Sequence, residues 1–226
     1  MRHLVRKAVP LLVVLLAAGQ IAQAAMERRA RRFNVLDLYG GYAKATGRYD
    51  GIGGLTFRDS QGRVVELDAD QVYDPSWHLG LNYGSLRGGH ILAAVGFHYS
   101  YMKDLNRYTA RDQTWALEPS PTFQQYDLNV EVDYLVTDIS RAPVAPFVGF
   151  GLRAGFNSQS ADGVESETRA TIAATAIFGL EVRLFSFKKG RGFVTLASRN
   201  SWDFLASGDR PKFLDIGAGL KYYFRM

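Results

Sequence analysis

His98 and Ser100 form a pair whose spacing could support nucleophilic chemistry. Only Tyr99 separates them, and alternate residues of a β-strand point to the same side, so the imidazole could activate the hydroxyl. Such a site also needs an acid that orients the imidazole. The candidates on the next predicted strand are Asp127, Glu131 and Asp133. The alternative is that His98 and Ser100 are ordinary polar residues of a strand face.

Ionisable residues recur on the polar sides of segments that alternate between apolar and polar residues. In 126–138, Leu128, Val130 and Val132 lie on one side and carboxylates on the other. The full polar set is Asp37, Asp127, Glu131, Asp133, Glu181, Asp203, Asp215, Arg153, Arg183, Arg199 and Lys221, with His78, His98, Asn82 and Asn129. A charge withdrawn from water is costly unless it is paired and hydrogen-bonded. These groups are therefore expected to form a salt-bridged plug, or alternatively a pathway for protons or ions, and we favour the plug.

Period-two alternation predicts eight β-strands. Their ranges are 33–45, 77–86, 90–103, 126–139, 144–157, 169–185, 192–204 and 211–224. Most odd-numbered connections, such as 46–76 and 104–125, are long, whereas all even-numbered ones, such as 87–89, are short. This rhythm is typical of membrane barrels, which have short turns at one end and longer loops at the other. A small hairpin of 54–57 against 64–67 is also predicted inside the first long connection.

Glycines indicate which side of the strands lies inside. The interior of an eight-stranded barrel is only just wide enough for side chains, and small residues on the polar side would leave room there. The polar sides contain Gly80, Gly84, Gly149, Gly151, Gly155, Gly179, Gly217 and Gly219. We therefore place the polar sides inside and the apolar sides against lipid, the reverse of a soluble barrel.

Aromatic residues gather near both ends of the predicted strands, where amphipathic rings would meet lipid headgroups. The looped end has Tyr42, Trp77, Tyr99, Tyr101, Tyr126, Phe156, Trp202 and Phe204; the other end has Phe33, Tyr83, Tyr134, Phe147, Phe185, Phe193, Tyr222 and Phe224. Two such belts fit a bilayer. The sequence thus predicts an all-β fold, an eight-stranded antiparallel up-and-down transmembrane β-barrel.

The N-terminal residues have the pattern of a cleavable export signal. Basic residues precede an apolar stretch, and Ala22-Gln23-Ala24 has the small-x-small pattern of a cleavage site. The apolar stretch is shorter than the roughly 20 residues that a helix needs to span a bilayer. The expected organisation is a signal peptide at 1–24, a basic tail at 25–32 and a barrel at 33–226.

The composition narrows the partners of the mature chain. The formal net charge of +5 falls to +2 once residues 1–24 are removed, because 3 of the 27 basic residues and none of the 22 acidic residues lie there. No nucleic-acid partner is therefore expected. The chain contains no cysteine, so an exported protein of this kind holds together without disulfides. We expect neither a metal nor another cofactor.

The closing residues carry the most specific resemblance. Gly219, Tyr222 and Phe224 occupy the glycine and aromatic positions of a segment similar to the terminal signal that the barrel-assembly machinery reads. With the strand pattern over 33–224, the chain resembles the small eight-stranded outer-membrane barrels typified by the transmembrane domain of OmpA and by OmpX. This resemblance implies a bacterial outer-membrane location after export, with outer-membrane lipid, lipopolysaccharide and the assembly machinery as partners. We expect a monomer.

Three functions remain open at this point. The first is a structural and surface-interaction protein whose loops 46–76 and 104–125 could contact an extracellular partner. The second is a lipid A modifying enzyme, because His98-Tyr99-Ser100 resembles the His-x-Ser motif of the lipid A deacylase PagL, although Tyr101 replaces the Asn that follows in that motif. The third is a small ion-conducting barrel. The first is favoured, since eight strands enclose a filled interior.

Overall fold

The computed structural model describes residues 32–46, 57–58, 64–65, 73–104, 107–110, 113–116, 121–161, 164–204 and 212–225. The predicted signal peptide and residues 25–31 of the predicted tail lie outside these ranges. The strands are β1 (Arg32–Thr46), β2 (Phe57–Arg58), β3 (Val64–Val65), β4 (Tyr73–Arg87), β5 (Ile91–Asp104), β6 (Arg107–Ala110), β7 (Gln113–Ala116), β8 (Pro121–Leu135), β9 (Val144–Ala161), β10 (Val164–Ser186), β11 (Gly190–Asp203) and β12 (Lys212–Phe224). Among the described residues, no helix is long and apolar enough to cross a membrane.

Eight of these strands close into a barrel in the order β1-β12-β11-β10-β9-β8-β5-β4. Every neighbouring pair is antiparallel, and β1 closes the sheet by pairing with both β4 and β12. Asp37 at the middle of β1 lies opposite Asn82 on one side and Lys221 on the other. The prediction of an eight-stranded antiparallel up-and-down barrel is confirmed.

Strand limits differ most from the predicted ones in β4, β8, β9 and β10, and β4 begins at Tyr73 instead of Trp77. Strand β8 begins at Pro121 and ends at Leu135, and the connection between β9 and β10 shrinks to residues 162–163. Residues 158–168 are largely polar, so they lack the apolar and polar alternation that marks a strand between lipid and a barrel interior. A strand surrounded by water on both sides gives no such signal, which is why the sequence predicted a loop there.

The short turns lie at one end of the barrel, at residues 88–90, 136–143 and 187–189. In the first turn, Gly88 and Gly89 have φ angles of 60° and 81°, which glycine adopts without steric cost. In the second, Ser140 donates its backbone N–H to Asp138 at 2.8 Å. Partial burial acts to raise the pKa of Asp138, but the Ser140 hydrogen bonds outweigh it and hold that pKa below its usual range.

The opposite end carries two additional hairpins. Strands β2 and β3 pair through Phe57 and Val65 within the first long connection, as the sequence predicted. Strands β6 and β7 pair through Tyr108 and Trp115 within the second. We call this the loop end and the other the turn end. Outer-membrane barrels have short periplasmic turns and longer external loops, and the two ends of this barrel match that arrangement.

Large apolar side chains cover the outside of the barrel. Leu36, Leu79, Leu128, Phe150 and Leu220 are between 44% and 59% exposed. Aromatic rings extend this surface, and at the loop end Trp77, Tyr99 and Tyr126 form a row with ring centroids 5.2 and 4.8 Å apart. An apolar outer wall of this kind suits lipid and not water, because soluble proteins rarely expose large apolar patches.

Three of the aromatic residues assigned to the turn-end belt face the interior instead. Phe33, Phe147 and Phe193 are 4% exposed or less, so placing them against lipid was wrong. Each of them lies an even number of positions from the interior residues of its strand and so faces the same side. Tyr222 lies an odd number of positions from the interior residues of β12 and is exposed. A position near a strand end does not determine the side that a ring faces. The alternation of sides along the strand does, and it places these three rings inside.

The interior is filled from end to end. At the turn end, an apolar layer contains Phe33, Val35, Leu86, Leu92, Leu135, Ile139, Ala145, Phe147, Ile177, Phe193, Ala197 and Tyr223. At the loop end, an aromatic layer contains Tyr73, Phe123 and Phe213, with Met102 buried beside them. Polar and charged side chains occupy the volume between the two layers.

Candidate functional site

The turn-side charge cluster consists of Asp37, Glu131, Asp133, Glu181, Arg199 and Lys221, all buried. Lys221 on β12 places Nζ 2.8 Å from Oε1 of Glu181 on β10 and 3.7 Å from Oδ2 of Asp37 on β1. The Tyr223 hydroxyl also donates to Glu181, at 2.7 Å. Lys221 therefore links β1 and β10, which lie on opposite sides of β12 in the sheet.

Arg199 occupies the centre of the turn-side charge cluster. Its Nε lies 3.4 Å from Oε1 of Glu131, and its Nη2 lies 4.0 Å from Oδ2 of Asp37. The guanidinium carbon is 3.8 Å from the centroid of the Tyr39 ring, a cation–π distance. Asn82 and Asn129 donate to Glu131 at 3.0 and 2.8 Å. The guanidinium and the carboxylate are thus both paired and hydrogen-bonded, as buried charges require.

The loop-side cluster consists of His78, His98, Asp127, Arg153 and Asp215. Arg153 Nη1 donates to Oδ2 of Asp215 at 3.0 Å, and His98 Nε2 lies 3.3 Å from the same oxygen. The other ring nitrogen of His98, Nδ1, lies 3.7 Å from Oδ2 of Asp127. These side chains come from β4, β5, β8, β9 and β12, so the cluster ties together most of the barrel circumference.

The candidate catalytic pair lies in this loop-side cluster. Ser100 Oγ is 3.5 Å from His98 Nε2, and of the three acids suggested by the sequence, Asp127 is the one near His98. The nitrogen that would accept the Ser100 proton is closer to Asp215, and both His98 and Ser100 are 2% exposed or less. Within the described part of the chain, the pair is therefore engaged with acids and buried away from the surface where an acyl chain would lie.

Arg183 and Asp203 lie apart from the two clusters. Arg183 is half-buried at the turn end, where Nη2 donates to the backbone oxygens of Ile139 and Ala142. Asp203 is half-buried near the loop end, with Oδ1 3.4 Å from the backbone N of Ile172. Both residues lie on the interior side of their strands but near the strand ends, away from the two clusters. Arg183 therefore anchors a turn and does not join the charge clusters.

Tyr39 and Tyr223 are buried members of the polar interior that sequence reasoning did not single out. Both lie on the interior side of their strands, two residues from a charged residue that the sequence placed on that side. Their hydroxyls make them suitable partners for charges, and Tyr223 donates to Glu181. Counting tyrosine with the interior polar residues on the basis of parity would have found them.

The residues of the proposed assembly signal lie on β12. Gly219 faces the interior beside Tyr39, where a Cβ would lie 2.9 Å from that of Tyr39. Tyr222 faces outward and stacks with Phe224 at a centroid distance of 5.6 Å. The terminal aromatics thus form part of the lipid-facing belt at the turn end. Their recognition by an assembly machinery stays a prediction.

Fold and interior together define the class of protein. A closed antiparallel barrel satisfies its backbone hydrogen bonds within the sheet, which is the condition for spanning a bilayer with strands. The outer wall is apolar, and the interior buries polar and charged side chains. The protein is a transmembrane β-barrel of the outer-membrane type, located in the bacterial outer membrane.

Solved structures similar to this chain include several outer-membrane proteins. OprG from Pseudomonas aeruginosa has a TM-score of 0.49 and 10% identity, over 87% of this chain and 99% of its own. Neisserial surface protein A has a TM-score of 0.47 and 13% identity, over 84% and 95%. A major outer membrane protein from Thermus thermophilus has 0.46 and 13%, over 85% and 99%. No family model and no curated protein matches the chain.

Proposed function

We propose that the protein is a closed outer-membrane scaffold that presents its loop end to the outside of the cell. The observation that carries this proposal is the filled interior. Phe123 lies between Tyr73 and Phe213 at the loop end, with ring centroids 5.7 and 5.3 Å apart. Two charge clusters and an apolar layer lie below them. A solute would have to displace all of these contacts to cross the barrel.

The loop end supplies the surface for interaction. The two long connections, 46–76 and 104–125 in the predicted limits, carry the β2–β3 and β6–β7 hairpins. Rigid frames commonly carry binding residues on such loops. We propose that these loops contact an extracellular partner, while the aromatic row at their base lies among lipopolysaccharide headgroups. The barrel itself then acts as the rigid support.

Conductance measurements test the closed interior. Mature protein inserted into a planar lipid bilayer should give no discrete current steps, because the ion pairs of the interior leave no continuous aqueous path among the described residues. Arg199→Ala, which removes the central guanidinium, is the matched variant in which leak currents should first become visible. Its folded gel mobility serves as the control for insertion.

A different result would favour the conducting alternative. Discrete, ion-selective steps from the unaltered protein, reduced by Glu131→Gln or Arg153→Gln, would overturn the scaffold proposal. The same preparation, incubated with lipopolysaccharide, should leave the mass of lipid A unchanged. Loss of an acyl chain that depends on Ser100 would instead restore the deacylase interpretation.

A further inference from the structure

His78, His98 and Asp215 converge inside the loop-side cluster. Each offers a ligand atom, and these atoms all lie within 4.8 Å of one another. The three side chains are 2%, 1% and 1% exposed. They come from β4, β5 and β12, and β1 lies between β4 and β12. Two imidazoles and a carboxylate are ligands that zinc and other divalent transition metals accept.

Two glycines make the room that His78 occupies. Gly41 on β1 is opposite His78 on one side and opposite Gly217 on the other. A Cβ at Gly217 would lie 3.0 Å from His78 Nε2. Because neither glycine carries a side chain, His78 reaches over β1 toward Asp215, which lies two residues from Gly217.

The polar atoms of this group are incompletely partnered. Both ring nitrogens of His78, and Oδ1 of Asp215, have no hydrogen-bond partner among the described residues. A buried polar atom without a partner costs about 1–3 kcal/mol, so native interiors rarely leave several together. A neutral His78 imidazole has a free lone pair on one of its two nitrogens, and the Asp215 carboxylate has free lone pairs as well, which is what a bound cation requires.

The interior also carries an excess of negative charge. Within the described ranges, the buried carboxylates are Asp37, Asp127, Glu131, Asp133, Glu181 and Asp215, and the buried permanent cations are Arg153, Arg199 and Lys221. Six against three leaves three negative charges without a permanent partner when all groups are ionised. One of these charges belongs to the loop-side cluster, where Asp127 and Asp215 lie with Arg153. Because uncompensated buried charge is strongly unfavourable, a bound cation there would offset it.

We propose that His78, His98 and Asp215 bind a divalent transition-metal ion of the zinc type. His98 Nε2 and Oδ2 of Asp215 are 3.3 Å apart, about the separation of two ligands that each lie 2.0–2.1 Å from a tetrahedral zinc ion. Three protein ligands leave a fourth position for water. The ion would link β4, β5 and β12 across the barrel.

Asp127 acts as the positioning residue of this site. Its Oδ2 lies 3.7 Å from His98 Nδ1, and Gln125 and Thr171 hold the carboxylate by donating to it at 2.8 and 3.3 Å. Arg153 Nη1 also lies near His98 Nδ1, at 3.4 Å, and donates to Asp215 at 3.0 Å. With an ion bound, the proton of His98 would lie on Nδ1 and face Asp127, and the Nε2 lone pair would face the metal, the usual arrangement of a carboxylate behind a metal-bound histidine. The same Oδ2 of Asp215 that would bind the ion also accepts from Arg153 Nη1 at 3.0 Å, which fixes the carboxylate in place.

The three residues are buried, so the ion is expected to enter while the barrel folds. The test therefore refolds untagged mature protein into detergent with Co²⁺ or Zn²⁺ and removes free metal by gel filtration. We expect one ion per chain by elemental analysis, with the visible absorption of tetrahedral Co²⁺. His78→Gln and Asp215→Asn should lose the ion. Asp127→Asn should weaken binding by about 10- to 100-fold.

His90 provides the matched control, because it is the other histidine of the predicted mature chain. It lies in a turn, where its Nδ1 donates to the backbone oxygen of Leu135 at 2.8 Å. His90→Gln should bind the metal as the unaltered protein does. Folded protein that holds no ion, or His78→Gln that binds as well as the unaltered protein, would overturn the proposal. If His78→Gln fails to fold, X-ray absorption of the unaltered protein decides: two imidazole ligands support the site, and fewer overturn it.

Discussion

At the scale of single residues, a glycine on one strand determines how a charge is buried on another. A Cβ at Gly80 would overlap the Tyr39 ring, so the glycine on β4 leaves the space that this ring fills. The ring then packs against the Arg199 guanidinium, which pairs with Glu131. The space left at Gly80, the Tyr39 ring that fills it and the ion pair of Arg199 with Glu131 thus depend on one another.

Lys221 offers the sharpest residue-scale prediction. Lys221→Met removes the cation that lies 2.8 Å from Glu181 and 3.7 Å from Asp37. Both carboxylates then stay buried without it, which should lower the free energy of unfolding by about 3–5 kcal/mol. Urea unfolding of the refolded protein in lipid vesicles measures this change.

Two variants make that measurement specific to the buried pair. Lys188→Met removes an exposed lysine from a turn and should change the free energy of unfolding by no more than about 0.5 kcal/mol. Lys221→Met combined with Glu181→Leu should recover part of the loss, because the uncompensated carboxylate is removed with its partner. Equal losses for Lys221→Met and Lys188→Met would show that the pair does not stabilise the barrel.

At the scale of the strands, alternation predicted the eight strands of the barrel and the side that most of their residues face. In β8, Asp127, Asn129, Glu131 and Asp133 are all buried, and Leu128 is 58% exposed. The pattern works because lipid and a polar interior lie on opposite sides of the same strand. It fails beyond the bilayer, where β9 and β10 continue with polar residues on both sides.

Contacts across the barrel could not be predicted in the same way. Arg199 and Glu131 are 68 positions apart in the chain and lie on strands that are not neighbours. Such a contact depends on the stagger between strands and on which interior positions lack side chains. The sequence identified the charged residues, while their partners, and the meeting of His78 with Asp215, follow from the closed register.

The strand faces lead to a test of the membrane assignment. Leu128→Arg places a charge on the lipid side near the middle of β8, where it should lower the free energy of unfolding by about 2–4 kcal/mol. Val136→Arg adds the same charge at the turn end, where Val136 is 54% exposed and the cost should be about 0–1 kcal/mol. Equal, small costs at both positions would indicate a water-facing surface.

At the scale of the whole molecule, the barrel strands provide the stability, and the long connections at the loop end provide the surface proposed to bind a partner. The ladder of β1 runs from Arg32 to Thr46 and involves both of its neighbours. The two small hairpins pair within themselves and form separate two-stranded sheets. The barrel therefore holds its register without them, and changes in the loops can alter what the surface binds without changing the frame.

Excision of a loop tests this separation. Replacement of residues 47–72 by a short glycine-containing turn should leave the barrel folded, since the paired positions Tyr42 and Trp77 stay in register. Unboiled protein should still migrate faster than boiled protein on a gel, while binding of any partner through this loop is lost. Truncation after Phe204 is the contrasting variant. It removes β12, which pairs with both β1 and β11, and should abolish the fast-migrating form; a loop-excised barrel that also fails to fold would show that the loop belongs to the frame.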